Sequence, residues 1–177
     1  MFENLRHDTR RLREIKNKPF PWYVVESLLF ENGYQAVVLH RMAHAFKTRG
    51  IPFAGPFFHR LSMFLTGVDI APAAQIGPGF RISHGVGIVV GNGVRVGSGC
   101  LMMQGVTLGA PTQAKIDEMP TVGDNAILGA NACLIGKLTI GNGVLVGVNA
   151  VVTRDVPDGA KVLAPAARVV RPEKEES

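Results

Sequence analysis

Written in sixes, residues 122–152 read VGDNAI-LGANAC-LIGKLT-IGNGVL-VGVNAV-V, and a branched apolar residue heads every hexad: Val122, Leu128, Leu134, Ile140, Val146 and Val152. Upstream the same period runs through Ile70, Ile76, Ile82 and Ile88. Displaced by two, it runs again through Val90, Val96, Met102 and Leu108. Glycine follows the apolar residue directly at Gly77, Gly91, Gly97, Gly109, Gly123, Gly129, Gly141 and Gly147. An amphipathic α-helix needs spacings of three and four, and a segment this rich in glycine and β-branched residues does not supply them. The period of six instead predicts a solenoid of short parallel strands. One residue in six points inward and stacks on its equivalents in neighbouring coils, while the small residue after it lets the chain turn.

Outward from this core, residues 110–120 break the period with Pro111, Lys115, Asp117, Glu118 and Pro120, and read as a loop leaving the solenoid between two coils. Residues 1–68 differ in kind. Phe2, Leu5, Thr9, Leu12 and Ile15 predict a short amphipathic helix, residues 26–48 one or two more with Gly33 as divider, and residues 57–65 another. The expected organisation is a helical segment 1–68, a solenoid 69–165 with the loop 110–120, and a tail 166–177 whose charged end from Pro172 frays.

With 46% hydrophobic and 19% charged residues the chain is globular, not disordered. The formal charge of +5 is concentrated early, in Arg6, Arg10, Arg11, Arg13, Lys16 and Lys18. These predict a solvated helix face, one also compatible with contact at an anionic membrane surface. No aromatic-interleaved basic motif or zinc spacing points to nucleic acid. Cys100 and Cys133, both in apolar hexads, read as small buried hydrophobes. No secretory leader or bilayer-length apolar run is visible, so a cytoplasmic protein with reduced thiols is expected.

Residues 68–77 (VDIAPAAQIG), 82–91 (ISHGVGIVVG) and 104–109 (QGVTLG) resemble the β-helix of serine acetyltransferases. GYQA at 33–36 and HRMAH at 40–44 resemble the helices preceding it. The resemblance runs from about residue 18 to residue 170. It implies a mainly β fold, a left-handed parallel β-helix of hexapeptide repeats preceded by a short α-helical segment. It also implies acetyl-CoA as co-substrate, no metal, and a homotrimer with active sites between adjacent subunits. The chain carries only the last part of the family's larger helical domain, which favours a trimer over a dimer of trimers.

By the same resemblance the catalytic histidine falls on His84 and the carboxylate that orients it on Asp69. An alcohol attacks poorly until an imidazole takes its proton, a service worth roughly two to four orders of magnitude in rate. A carboxylate behind the ring fixes its tautomer and stabilises the imidazolium. The implied pantetheine groove passes Gly109, Ala110, Gly129 and Ala130, with Val148 one coil further on. Small residues there admit the ligand to backbone N–H groups able to polarise a thioester. Ala110 stands for the family's glycine and Pro111 for its threonine. Arg168 and Lys161 are the candidate cations for the CoA phosphates by charge alone.

The acceptor residues depart from the family pattern. Lys18 and Ser83 occupy two acidic positions that hold the substrate amino group, and Glu118-Met119 replaces an arginine-histidine pair on the loop. A zwitterion such as serine wants carboxylates at its ammonium and a guanidinium at its carboxylate. Lys18 and Glu118 invert that charge pattern. The expectation is therefore O-acetylation of a sugar or other non-serine compound, including anionic or lipid-linked glycans. The alternatives are a serine acetyltransferase with a rearranged site and a non-catalytic trimeric scaffold, the latter at odds with retention of Asp69 and His84. A metal-dependent hydratase would need a threefold axis, or help from His40, His44 or His59, to complete its ligands.

Overall fold

The computed structural model describes residues 2–16 and 19–169; Lys18 and the tail from Pro172 lie outside the described residues. Four helices come first among them: α1 (Phe2–Lys16), α2 (Trp22–Phe30), α3 (Asn32–Thr48) and α4 (Ala54–Thr66). Glu3 in the first turn of α1 and Arg13 and Lys16 in its last complement the partial charges of the helix ends. The break between α2 and α3 falls at Glu31, in extended backbone with φ −112° and ψ 101°. Gly33 is not the divider; it lies inside the first turn of α3. A Cβ there would stand 2.5 Å from the Ile82 carbonyl oxygen, so helix and solenoid meet backbone to backbone. Gly67 ends α4 in the left-handed conformation, φ 68°, and the chain enters the solenoid at once. None of these helices is long and apolar enough to cross a membrane.

The hexads fold into three parallel sheets. The first runs β1 (Asp69–Ile70), β4 (Val89–Val90), β7 (Thr107–Gly109), β10 (Cys133–Ile135) and β13 (Val151–Val152). The second holds β2 (Gln75–Ile76), β5 (Arg95–Val96), β8 (Thr121–Val122) and β11 (Thr139–Ile140). The third holds β3 (Arg81–Ser83), β6 (Leu101–Met103), β9 (Ile127–Leu128), β12 (Leu145–Val146) and β14 (Lys161–Val162). Each strand pairs with one a full coil away, as a left-handed parallel β-helix requires. In the first sheet Ile70, Val90, Leu108, Leu134 and Val152 stack in register. In the third, Ile82, Met102, Leu128, Val146 and Val162 do the same. Each fully buried Val, Leu or Ile in such a column contributes roughly 1.5–3 kcal/mol relative to exposure.

Ile88 does not stack on Ile70, where the count of six places it; Val90 does. Ile88 belongs to a second buried layer with Val68, Ala74, Phe80 and Val94, each two residues ahead of a strand's inward residue. Eight positions separate Ile82 from Val90 where six separate Met102 from Leu108, so the first coil carries two extra residues.

A buried ion pair pins the helices to the first coil. The Arg41 guanidinium donates to both Asp8 carboxylate oxygens, at 3.0 and 3.2 Å, and to the carbonyls of Ile76 and Gly77. Asp8 also accepts the Phe80 N–H at 2.9 Å. Burial pushes the Asp8 carboxyl above its ordinary value, against the pull of Arg41 and the Phe80 amide. The loop after β7 is exposed from Pro111 to Asp117, makes a 3₁₀ turn at Gln113–Lys115, and returns with Met119 packed against Gly91.

Candidate functional site

The two extra residues lie at the corner joining the third sheet to the first. In every coil that corner turns on a residue of positive φ: Gly87, Gly105, Asn131 and Asn149. Hydrogen bonds stack the turns, Gly105 N–H on the Val86 carbonyl, Asn131 on Gln104 and Asn149 on Ala130. His84 adds a second left-handed residue to the first turn, φ 57°, where the coil does not need one. For a histidine this conformation costs roughly 1–2 kcal/mol, and such strain clusters where function holds it. Gly85 beside it tucks inward, since a Cβ there would meet Ile82 at 2.9 Å and Val68 at 3.0 Å. The insertion thus holds the His84 ring outside the core, exposed.

Beside it lies a cavity of about 340 Å³ between α1, the start of α3 and β3, with Ser83, His84, Arg81, Arg11, Glu31 and Asp8 in its wall. Both signs of charge are present. Glu31 is ion-paired with Lys16, which also lies 3.4 Å from Glu26. Arg11 donates to the carbonyls of Gly79 at 2.6 Å and Cys100 at 3.2 Å. Of the predicted acceptor residues that are described, Ser83 lines this cavity and Glu118 and Met119 do not. Lys18 lies outside the described residues. Glu118 is held by Lys115 at 3.2 Å within the loop, and Met119 packs on the coil, not toward His84. The sequence reading missed Glu31, Arg11 and Arg81 as wall residues. Glu31 marks the α2–α3 break, yet nothing in the local pattern says which way its side chain turns.

Asp69 leads β1 opposite Val89 in β4, and its N–H donates to the Ile88 carbonyl at 2.9 Å. Gly87 N–H donates to the Gly67 carbonyl at 2.9 Å, so the His84 turn is tied to the segment that delivers Asp69. The ring bonded to Asp69 is nevertheless that of His59 on α4, its Nε2 2.7 Å from Oδ1. Among the described residues the His84 ring has no hydrogen-bond partner. The expected Asp69–His84 contact is not made within this chain; the hydrogen bond on the Asp69 carboxylate comes from His59 and uses Oδ1 alone. His40 on α3 is buried with neither ring nitrogen partnered; burial, then the charges of Arg41, His44 and His59, hold its pKa down to about 3.

Gly129, Ala130 and Val148 lie on the His84 corner in successive coils, while Gly109 and Ala110 lie at the opposite edge of the first sheet, where the loop departs. One chain does not bring the two edges together. Lys161 and Arg168 are exposed near the far end. Cys100 is buried, and burial pushes its thiol pKa up; Cys133 is half-buried. Among the described residues no group of three or more His, Cys, Asp or Glu is placed to hold a metal ion.

No sequence-family model matches the chain. A serine acetyltransferase of Synechococcus elongatus is 39% identical over 170 residues, 96% of this chain and 69% of its own length. One of Bacillus pumilus is 40% identical over 146 residues, 82% of this chain and 67% of its own. The crystal structure of Neisseria gonorrhoeae serine acetyltransferase superposes with a TM-score of 0.81 at 31% identity, covering 96% of this chain and 66% of that one. The chain therefore spans about two thirds of the length of these relatives. Its stacked hexads, its helical approach and these identities agree: the chain belongs to the serine acetyltransferase family of hexapeptide-repeat acyltransferases.

Proposed function

We propose that this chain is an acetyl-CoA-dependent O-acetyltransferase whose acceptor is L-serine. The observation that carries the acceptor is the cavity beside His84, whose wall holds Glu31 together with Arg11 and Arg81. A zwitterion would meet both signs of charge there, Glu31 beside Lys16 for its ammonium and Arg81, next to the carbonyl-bound Arg11, for its carboxylate. This replaces the sugar acceptor as first choice: the charge inversion at Glu118 loses force, since that carboxylate is held by Lys115 within the loop and does not line the cavity. The relatives' names support the same acceptor. In this reading His84 takes the hydroxyl proton as the oxygen attacks the thioester carbonyl. The tetrahedral adduct collapses, the proton passes to the departing CoA thiolate, and Asp69 stabilises the transient imidazolium.

The donor groove would run along Gly129, Ala130 and Val148 on the His84 corner of one subunit, facing Gly109 and Ala110 beside the loop of its neighbour. Lys161 and Arg168 would serve the CoA phosphates. A trimer accounts for the surface: Val86, Val89, Ile127, Val148 and Val151 are exposed on or beside that corner. The second sheet instead turns Gln75, Arg95, Thr121 and Thr139 to solvent. A second reading, a non-serine hydroxyl acceptor such as a sugar, is favoured by Ser83 standing beside His84 in place of an acid.

Thiol release from acetyl-CoA with serine, sugars and nucleotide sugars decides between them. Serine-dependent release is expected, and His84→Ala should lower it by roughly two to four orders of magnitude while acetyl-CoA still binds. Faster turnover of a nucleotide sugar would sink the serine reading, and full activity in His84→Ala would sink the base.

A further inference from the structure

We infer that His59 is a positioning residue for the catalytic base: it locks the Asp69 carboxylate through Oδ1 and leaves Oδ2 for the His84 ring. The inference rests on the reading of His84 as base and Asp69 as its partner. A carboxylate only accepts, so His59 carries a proton on Nε2 and donates it at 2.7 Å. The contact is one of three. His59, Ser62 and Thr66 lie on one face of α4, three and then four residues apart. Ser62 Oγ donates to the Val68 carbonyl at 3.3 Å, and Thr66 Oγ1 accepts the Val68 N–H at 3.3 Å. Three side chains of one helix face thus fix two consecutive residues, Val68 by its backbone and Asp69 by its carboxylate. Ser62 and Thr66 are buried, which leaves this junction little freedom.

The pair is half-exposed, 24% for His59 and 38% for Asp69, and such pairs add little to stability. Its consequence is geometric. Without His59 the Asp69 carboxylate turns freely about its side-chain bonds. With it, one oxygen is committed to α4, and the other makes no hydrogen bond among the described residues. The sequence reading considered His59 only as a metal ligand, because ten residues of helix and turn hide its contact with Asp69.

The test uses the whole chain with His59→Ala and His59→Gln, the amide of glutamine placing a donor near the Nε2 position. His59→Ala should lower kcat about 10- to 100-fold with the acetyl-CoA KM and thermal midpoint unchanged. His59→Gln should recover most of the loss. In an Asp69→Asn background His59→Ala should add no further loss, as expected of two residues acting through one contact. If His84→Ala is inactive while His59→Ala keeps native kcat, or if a folded His59→Gln is as slow as His59→Ala, the positioning role is refuted and the base stands. Native activity in His84→Ala would overturn both.

Discussion

His40 is sealed inside the helical segment with both ring nitrogens unpartnered, and its pKa falls from 6.5 to about 3 through burial first and neighbouring positive charge second. The folded chain keeps it neutral, whereas the unfolded chain protonates it below about 6.5. Between those values the unfolded state binds more protons, so stability falls as pH drops, by about 1.4 kcal/mol per pH unit for one full proton. Denaturant unfolding at pH 7 and pH 5 should show this loss, and His40→Leu should flatten it; an unchanged slope would place the acid sensitivity elsewhere. His84 meets the opposite fate, pushed outward by an insertion. The insertion was legible as a slip of two in the hexad count, while the left-handed backbone that presents the ring was not. A period reports which residues point inward, not the dihedral of one that points out.

At the scale of elements, α1 reads in sequence as a solvated basic helix, and part of its polar face is structural. Arg11 holds two carbonyls of the first coils, and Asp8, 2% exposed, joins α1 to α3 through Arg41. Arg41→Met would leave an unpaired acid in a buried site and should cost about 3–5 kcal/mol in urea unfolding. Adding Asp8→Leu should recover much of that loss, because two apolar groups satisfy each other where one stranded acid cannot. Equal stability of single and double variants would show that the pair is not coupled. Helix existence was readable from apolar periodicity. The position of the α2–α3 break was not: Gly33 suits a breaker in isolation, and only the approach of Ile82 explains why glycine sits inside a helix.

Across the whole molecule, the exposed apolar residues of the solenoid gather on the first and third sheets and the corner between them, at Val86, Val89, Ile127, Val148 and Val151, whereas the second sheet turns Gln75, Arg95, Thr121 and Thr139 outward. A monomer would expose Val148 at 58% and Val151 at 68% to water. Sedimentation or light scattering should give a mass near three times the 19.0 kDa chain. Val151→Lys should weaken that assembly and lower turnover with it, since the two edges of the donor groove would part. A fully active single chain in dilute solution would refute the intersubunit site.

The coils themselves are a property of the sequence alone. A six-residue period puts Val90 over Leu108, and Leu134 over Val152, in one column, each pair eighteen residues apart, because each coil repeats the same local turn and buries the same position. The resemblance likewise nominated Asp69 and His84 from short contiguous motifs. The tertiary structure alone decided the charged wall of the cavity, the partner of Asp69 and the clamp on the first coil. These join Asp8 to Phe80, Arg11 to Gly79 and His59 to Asp69, contacts between a helical segment and a solenoid that share no repeat. Periodicity records only what recurs from coil to coil, and each of these contacts is made once, where helices pack on the first coils.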